Sequence, residues 1–211
     1  MDFGFLTDKE IKDRNAELFK YGFVSEQAVG ASYDLSLGEE VYISGEDCPT
    51  KFSEGSPFVS IPRGQFALLM TKEYVKMPKD HFGLISIKFW KKAQGLINVS
   101  GFHVDPGFEG KIFFSVFNVG PSDVVLRYRE PTFMIFFYKL RGEVCKRYEG
   151  EIGKKENLPT KLVTSLKGTS ASLSDVDKRV RDLEVTNRIF IGLLAALAAG
   201  IIALFVQVIV G

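Results

Sequence analysis

Between Tyr33 and Leu140 the apolar residues fall in short runs of Val, Ile, Phe and Tyr, each closed by Gly, Pro or Asp. Runs of β-branched and aromatic residues bounded in this way read as strands. Candidate strands are "EVYIS", "FALLM", "GLISI", "KIFFSVFN" and "FMIFFYKL", with turns at "MPKD", "DPGFEG" and "NVGPSD". Turn signals recur about every ten residues, which favours an all-β barrel or jelly roll. Ahead of this region, in "LTDKEIKDRNAELFK", the period changes: Leu6, Ile11, Leu18 and Phe19 share a helical face, and Thr7 followed by Glu10 forms a capping-box signature. A short leading helix is predicted there.

After Leu140 the pattern fades. "RGEVCKRYEGEIGKKENLPTKLVTSLKGTSASLS" is charged, then small and polar, and reads as a weakly structured outlet ending in a flexible linker. From Leu173 apolar residues return at Val176, Val180 and Leu183, alternating three and four apart as in a coiled coil. Asn187 is the polar residue that sets register, and the seam continues through Phe190, Leu194, Leu197, Ile201, Leu204 and Val208. The last 23 residues, from Ile189 onward, carry no charge and one polar side chain, Gln207. At ~1.5 Å per residue such a helix matches the thickness of a bilayer core, and a chain of this size could not bury a helix that is apolar all round. A membrane span is predicted. Lys178, Arg179, Arg181 and Arg188 precede the span and no charged side chain follows, which places the barrel in the cytoplasm by the positive-inside rule and makes the protein tail-anchored.

The 211 residues suffice for one domain with a core plus an appendage. Lys and Arg number 27 against 26 acidic residues, so the overall balance gives no reason to expect a nucleic-acid partner. Cys48 and Cys145 lie far apart and the histidines are only His81 and His103, so no zinc set can be assembled and a reducing compartment is expected. The start of the chain is charged where a signal peptide needs an apolar run.

Four pieces, "GASYDLSLG", "MPKDHFGLISI", "GLINVSGFHVDPGFEG" and "SVFNVGP", occur in the order seen in dCTP deaminases and dUTPases, and over Leu6 to Leu140 the chain resembles that superfamily. The resemblance implies a distorted jelly-roll barrel of the dUTPase-like type, assembled as a homotrimer. It also implies active sites at subunit interfaces that bind a deoxynucleoside triphosphate with Mg²⁺. Its site residues carry over only in part. The family's phosphate-binding Gly-Arg-Ser-Ser-Leu-Ala-Arg segment falls on Ile87, Lys88, Phe89, Trp90, Lys91, Lys92 and Ala93. Lys88 keeps a charge without the bidentate fork of arginine, both serines become aromatic, and the second arginine becomes Ala93. The glutamate that activates water in the deaminases falls on Ser115, a poor base at neutral pH. Asp105 matches the dUTPase aspartate that orients the hydrolytic water, and Phe108 matches the aromatic that packs on deoxyribose. The preferred reading of Asp105 is nevertheless the capping residue of its own Pro-Gly turn, because a general base without its phosphate clamps has no positioned substrate to act on. "KFWKKAQ" has two readings: a converted pocket in which Lys88, Lys91 or Lys92 meets phosphate and Trp90 stacks on a base, or an interface core of Phe89 and Trp90 rimmed by lysines.

The fold expected is therefore mainly β, with the barrel over residues 1–150, a linker over 151–172, a coiled-coil helix over 173–188 and a transmembrane helix over 189–211. The function expected is a noncatalytic, membrane-tethered homotrimer that senses nucleotide or acts as a scaffold, in signalling or defence. The alternative is an active dCTP deaminase or dUTPase with Asp105 catalytic. The ligand-binding candidates are Lys88, Trp90, Lys91, Lys92 and Phe108. No cofactor is expected beyond Mg²⁺ arriving with a nucleotide triphosphate.

Overall fold

In a computed structural model the apolar runs become a curled antiparallel sheet whose inner face holds the core. Residues 3–53, 55–150, 154, 156–166 and 173–210 are described. The chain divides into two units, Met1–Ser170 and Ala171–Gly211.

The first unit opens with β1 (Gly4–Phe5), α1 (Asp8–Asp13), α2 (Asn15–Leu18), β2 (Phe19–Tyr21) and β3 (Ala28–Val29). The capping box is present: Glu10 N–H donates to Thr7 Oγ1 and Thr7 N–H donates to the Glu10 carboxylate. The leading helix is shorter than its apolar periodicity predicts. Arg14 leaves helical geometry between α1 and α2, and Phe19 belongs to a strand. Leu6, Ile11, Leu18 and Phe19 are nonetheless all buried, so the apolar face survives the break.

The barrel proper runs through β4 (Ser32–Ile43), β5 (Thr50–Lys51), β6 (Phe58–Ile61), β7 (Phe66–Thr71), β8 (Tyr74–Lys76) and β9 (His81–Ile87). After the single turn α3 (Phe89–Ala93) come β10 (Leu96–Asn98), β11 (His103–Val104), β12 (Glu109–Gly110), β13 (Phe113–Asn118), β14 (Val124–Arg127) and β15 (Pro131–Lys139). The main sheet has the order β10-β13-β7-β4-β15-β9-β11, with smaller sheets β12-β8-β2 and β14-β6. All its ladders are antiparallel, as short strands joined by tight turns require. In β9 and β13 burial alternates residue by residue, matching the two-residue period of a strand with one face in the core. Across the core, Phe114 of β13 stacks on Phe133 of β15 with ring centroids 4.0 Å apart. The glycine of "SYDLSLG" has a packing reason: a Cβ at Gly38 would lie 2.7 Å from the Thr71 carbonyl, where β4 bulges against β7.

Beyond β15 the chain stays on the barrel. Leu140 N–H donates to Asp80 O, Val144 N–H to Lys79 O and Tyr148 N–H to Pro106 O. The stretch read as a linker then contributes α4 (Thr160–Leu166). Leu158 and Val163 are buried there with Tyr42, Leu68 and Met70 in an apolar cluster separate from the main core. Over its described residues this differs from the weakly structured outlet and flexible linker expected from the sequence.

The second unit is one helix, α5 (Leu173–Val210), which covers both the heptad region and the uncharged tail without interruption. Its Val176–Ile209 stretch is long enough to cross a membrane, and an 18-residue window within it reaches a mean hydropathy of 2.8. Side chains along it such as Leu183, Leu197 and Val208 are exposed.

Candidate functional site

The Asp-Pro-Gly turn is tied to the loop before β9. Gly107 N–H donates to Met77 O and Met77 N–H donates to Phe108 O, fixing the chain between β11 and β12. Gly107 has φ +84°, and a Cβ there would stand 2.8 Å from Arg147 Cβ, so the turn needs glycine both for its conformation and for the close passage of the outgoing chain. Phe108 N–H donates to the Asp105 carbonyl, so main chain closes the turn and the Asp105 carboxylate is left available. That carboxylate is half exposed, with Oδ1 3.4 Å from His103 Nε2.

Beside the turn lies a cavity of about 230 Å³ lined by Ile85, Gly101, His103, Val104, Asp105, Phe108, Lys111, Ile112, Phe113, Tyr148 and Leu162. Of the expected site residues it gathers Asp105 and Phe108. Phe108 is partly buried and its ring meets that of Tyr148, with centroids 5.6 Å apart. Most of the wall is apolar, and Asp105 is its single carboxylate.

Lys88, Trp90, Lys91 and Lys92 lie elsewhere on the chain and do not line this cavity. Lys88, the residue before α3, forms an ion pair with Asp34 of the "SYDL" motif. Lys91 is buried, donating to Val125 O at 3.1 Å and pairing with Glu130 at 2.9 Å. Lys92 donates to Ser86 Oγ at 2.7 Å. Each lysine head is thus held within its own chain. Phe89 and Trp90 are 69% and 73% exposed, which leaves two large rings on the surface of α3. Ser115 on β13 is outside the cavity lining, and its carbonyl accepts from Val99 and Ser100 N–H.

Among the cavity residues that were not site candidates in the sequence, Lys111 and Tyr148 stand out. Lys111 is 3% exposed, and its ammonium pairs with Glu39 at 2.7 Å and Glu156 at 3.2 Å. Burial pulls its pKa down, but the hydrogen bonds and charges of the two glutamates outweigh that and hold it above the ordinary lysine value. A charge heading the apolar run "KIFFSVFN" was the available signal. Tyr148 carried no signal, since its neighbours in sequence are charged and aperiodic. Among the described residues no group of three or more His, Cys, Asp or Glu could hold a metal ion.

Comparison with known proteins identifies the barrel. The profile of the dCTP deaminase-like family matches residues 5–140. The dCTP deaminase of Thermococcus kodakarensis is 33% identical over 136 residues, covering 64% of this chain and 85% of that protein. That of Pyrococcus abyssi is 33% identical over 128 residues, covering 61% of this chain and 80% of its own length. The crystal structure of 2′-deoxycytidine 5′-triphosphate deaminase from Agrobacterium tumefaciens shares the fold with a TM-score of 0.56 at 16% identity, over 66% of this chain and 50% of that one. Because the matched stretch begins at β1 and ends with β15, the whole barrel is accounted for, and this chain belongs to the dCTP deaminase-like family.

Proposed function

We propose that this chain is a membrane-tethered, noncatalytic trimer of the dCTP deaminase-like family that binds a nucleotide as a sensor or scaffold. The observation that supports it most is the make-up of the Asp105 cavity: one half-exposed carboxylate, mostly apolar walls in which the Lys111 ammonium is already paired with Glu39 and Glu156, and Ser115 standing outside it. Deamination needs a base within hydrogen-bond reach of the attacking water and a substrate held against it. Here the lysines expected to clamp phosphate are engaged by Asp34, Glu130 and Ser86. A Mg²⁺ ion would enter on the oxygens of a triphosphate, which suits a cation that keeps few protein ligands.

The exposed rings of Phe89 and Trp90 favour the interface reading of α3, in which neighbouring barrels cover them. The apolar length of α5 and the basic residues ahead of its uncharged part support a membrane anchor with the barrel on the cytoplasmic side. In the purified full chain, dCTP or dUTP should raise the melting temperature while turnover of either stays at background, and Asp105→Asn should leave turnover unchanged.

A second reading, an active dCTP deaminase or dUTPase, draws on the 33% identity to proteins named dCTP deaminase and on the His103–Asp105 contact. Clear turnover that Asp105→Asn abolishes would establish this reading and remove the first.

A further inference from the structure

We propose that residues 156–166 are an occluding latch, which fills space a nucleotide needs in the Asp105–Phe108 cavity and undocks when that cavity is occupied. The inference rests on the reading that the cavity takes a ligand. At about 230 Å³ it is smaller than the roughly 300–1,000 Å³ usual for ligand sites, so a nucleotide enters only if a wall moves. Ile85 and Val104 stand on β9 and β11, held in the ladders of the main sheet. Gly101, Asp105, Phe108, Lys111 and Ile112 lie in connections between strands of the barrel, whereas Tyr148 and Leu162 come from the chain after β15 and belong to no ladder.

The latch has its own fastening. Leu158 and Val163 are buried against Tyr42, Leu68 and Met70, with Phe113, Leu162 and Leu166 packed at the edge. Leu158 N–H donates to Glu40 Oε2 at 2.7 Å, and Tyr21 O–H donates to the Glu156 carboxylate at 2.8 Å. Lys111 grips that same carboxylate. Three residues belong to both places: Lys111 holds Glu156 and lines the cavity, while Phe113 and Leu162 line the cavity and pack in the latch cluster. Moving Leu162 to admit a ligand therefore strains the fastening, and by linkage an undocked latch binds ligand more tightly. Undocking also frees the eleven residues 156–166, adding up to about 35 Å of extended chain ahead of α5. The cavity thereby acquires a route to the membrane helix that needs no change in the barrel.

Hydrogen exchange on the full chain in detergent micelles tests this. Gly101 lines the cavity and a Cβ there meets nothing within 4 Å, so Gly101→Phe fills the space without nucleotide. Amides of 160–166 should then exchange about tenfold faster, within the usual range of coupling between sites, while those of β15 stay unchanged. Saturating dCTP should accelerate the same amides in the wild-type chain, and Leu158→Ser with Val163→Ser should tighten dCTP binding about tenfold. If Gly101→Phe and the smaller Gly101→Leu both leave 160–166 unchanged, or loosen the whole barrel equally, the latch is refuted. Protection of 160–166 by dCTP refutes it as well, since the segment would then be closing on ligand. If Gly101→Phe accelerates exchange but dCTP binds neither the wild-type chain nor the released variant, the latch stands and the nucleotide reading falls.

Discussion

Glu73 is a carboxylate with no exposed surface, placed where β7 turns into β8. Its oxygens accept the Ser36 N–H at 2.9 and 3.1 Å, and its carbonyl accepts Thr71 O–H. Burial raises its pKa to about 7, against hydrogen bonds from its own backbone and Ser36 that lower it. The folded chain therefore holds this proton more tightly than the unfolded chain, whose glutamate titrates near 4.5. Stability should fall as pH rises from about 4.5 to about 7, by roughly 3 kcal/mol in all, and level off above that. His81 slopes the other way. Burial lowers its pKa below 6.5 despite the Asp80 contact, so it costs stability as pH falls through and below that value. Comparing Glu73→Gln with wild type isolates the first effect: the melting-temperature difference between pH 5 and pH 8 should shift in favour of pH 8 in the variant. An identical difference in both proteins would show that Glu73 does not titrate in this window. Neither residue could be singled out from the sequence, because "TKEYV" looks like an ordinary charged strand end; only the close passage of β4 removes water from it.

The second apolar cluster makes α4 part of the barrel unit. Leu158→Ala should lower stability by about 2–4 kcal/mol, a large-to-small change in a packed site, and Val163→Ala by about 1–2 kcal/mol. Chemical denaturation of the full chain measures both. Shortening the chain to residue 150 removes the same packing and uncovers Tyr42, Leu68 and Met70, so it should melt lower and aggregate more readily than a chain ending at 166. Equal melting temperatures for the two lengths would mean that α4 contributes nothing to the fold. α4 was hard to read because Leu158, Leu162, Val163 and Leu166 are diluted by charged and polar neighbours, and a helix of 7 residues draws its stability from docking. The strands were easier. Their alternation is local, and "KIFFSVFN" and "FMIFFYKL" appear as β13 and β15 within two residues of the predicted bounds. The leading helix falls between these cases, since its cap was written in Thr7 and Glu10 but its break at Arg14 was not.

For the whole molecule the reading turns on symmetry. In three copies related by the symmetry of a closed ring, the three α5 helices are equivalent, and the seam from Leu173 to Val208 can pair in register. Single cysteines at Val180 and Leu204 should then crosslink neighbouring chains in the membrane, whereas one at Lys178 should not. Equal crosslinking at all three positions would show that the helices do not pack on this face. Val180→Asp with Leu183→Asp should separate the helices while the barrels remain trimeric by light scattering. Gln207 lies in the uncharged part of the helix and could hydrogen-bond across the axis, worth about 1 kcal/mol.

What the sequence determined by itself was whatever depends on neighbours along the chain: the strand alternation, the turn residues, the capping box, and the uncharged length of α5. It also determined what the motifs carry, the placing of Asp105, Phe108 and Ser115 in a family frame. The tertiary structure decided which of these residues share a space. Lys88, Lys91 and Lys92 sit close to one another in sequence, yet Lys88 pairs with Asp34 and Lys91 with Glu130 from distant parts of the chain and Lys92 with Ser86 of the preceding strand, while Asp105 and Phe108 are joined by Lys111, Tyr148 and Leu162. The physical reason is that a one-dimensional pattern reports how each element hides its apolar face, whereas ion pairing and burial of polar groups depend on what other elements bring within a few ångströms, and that is fixed only when the sheet curls and the chain after β15 folds back upon it.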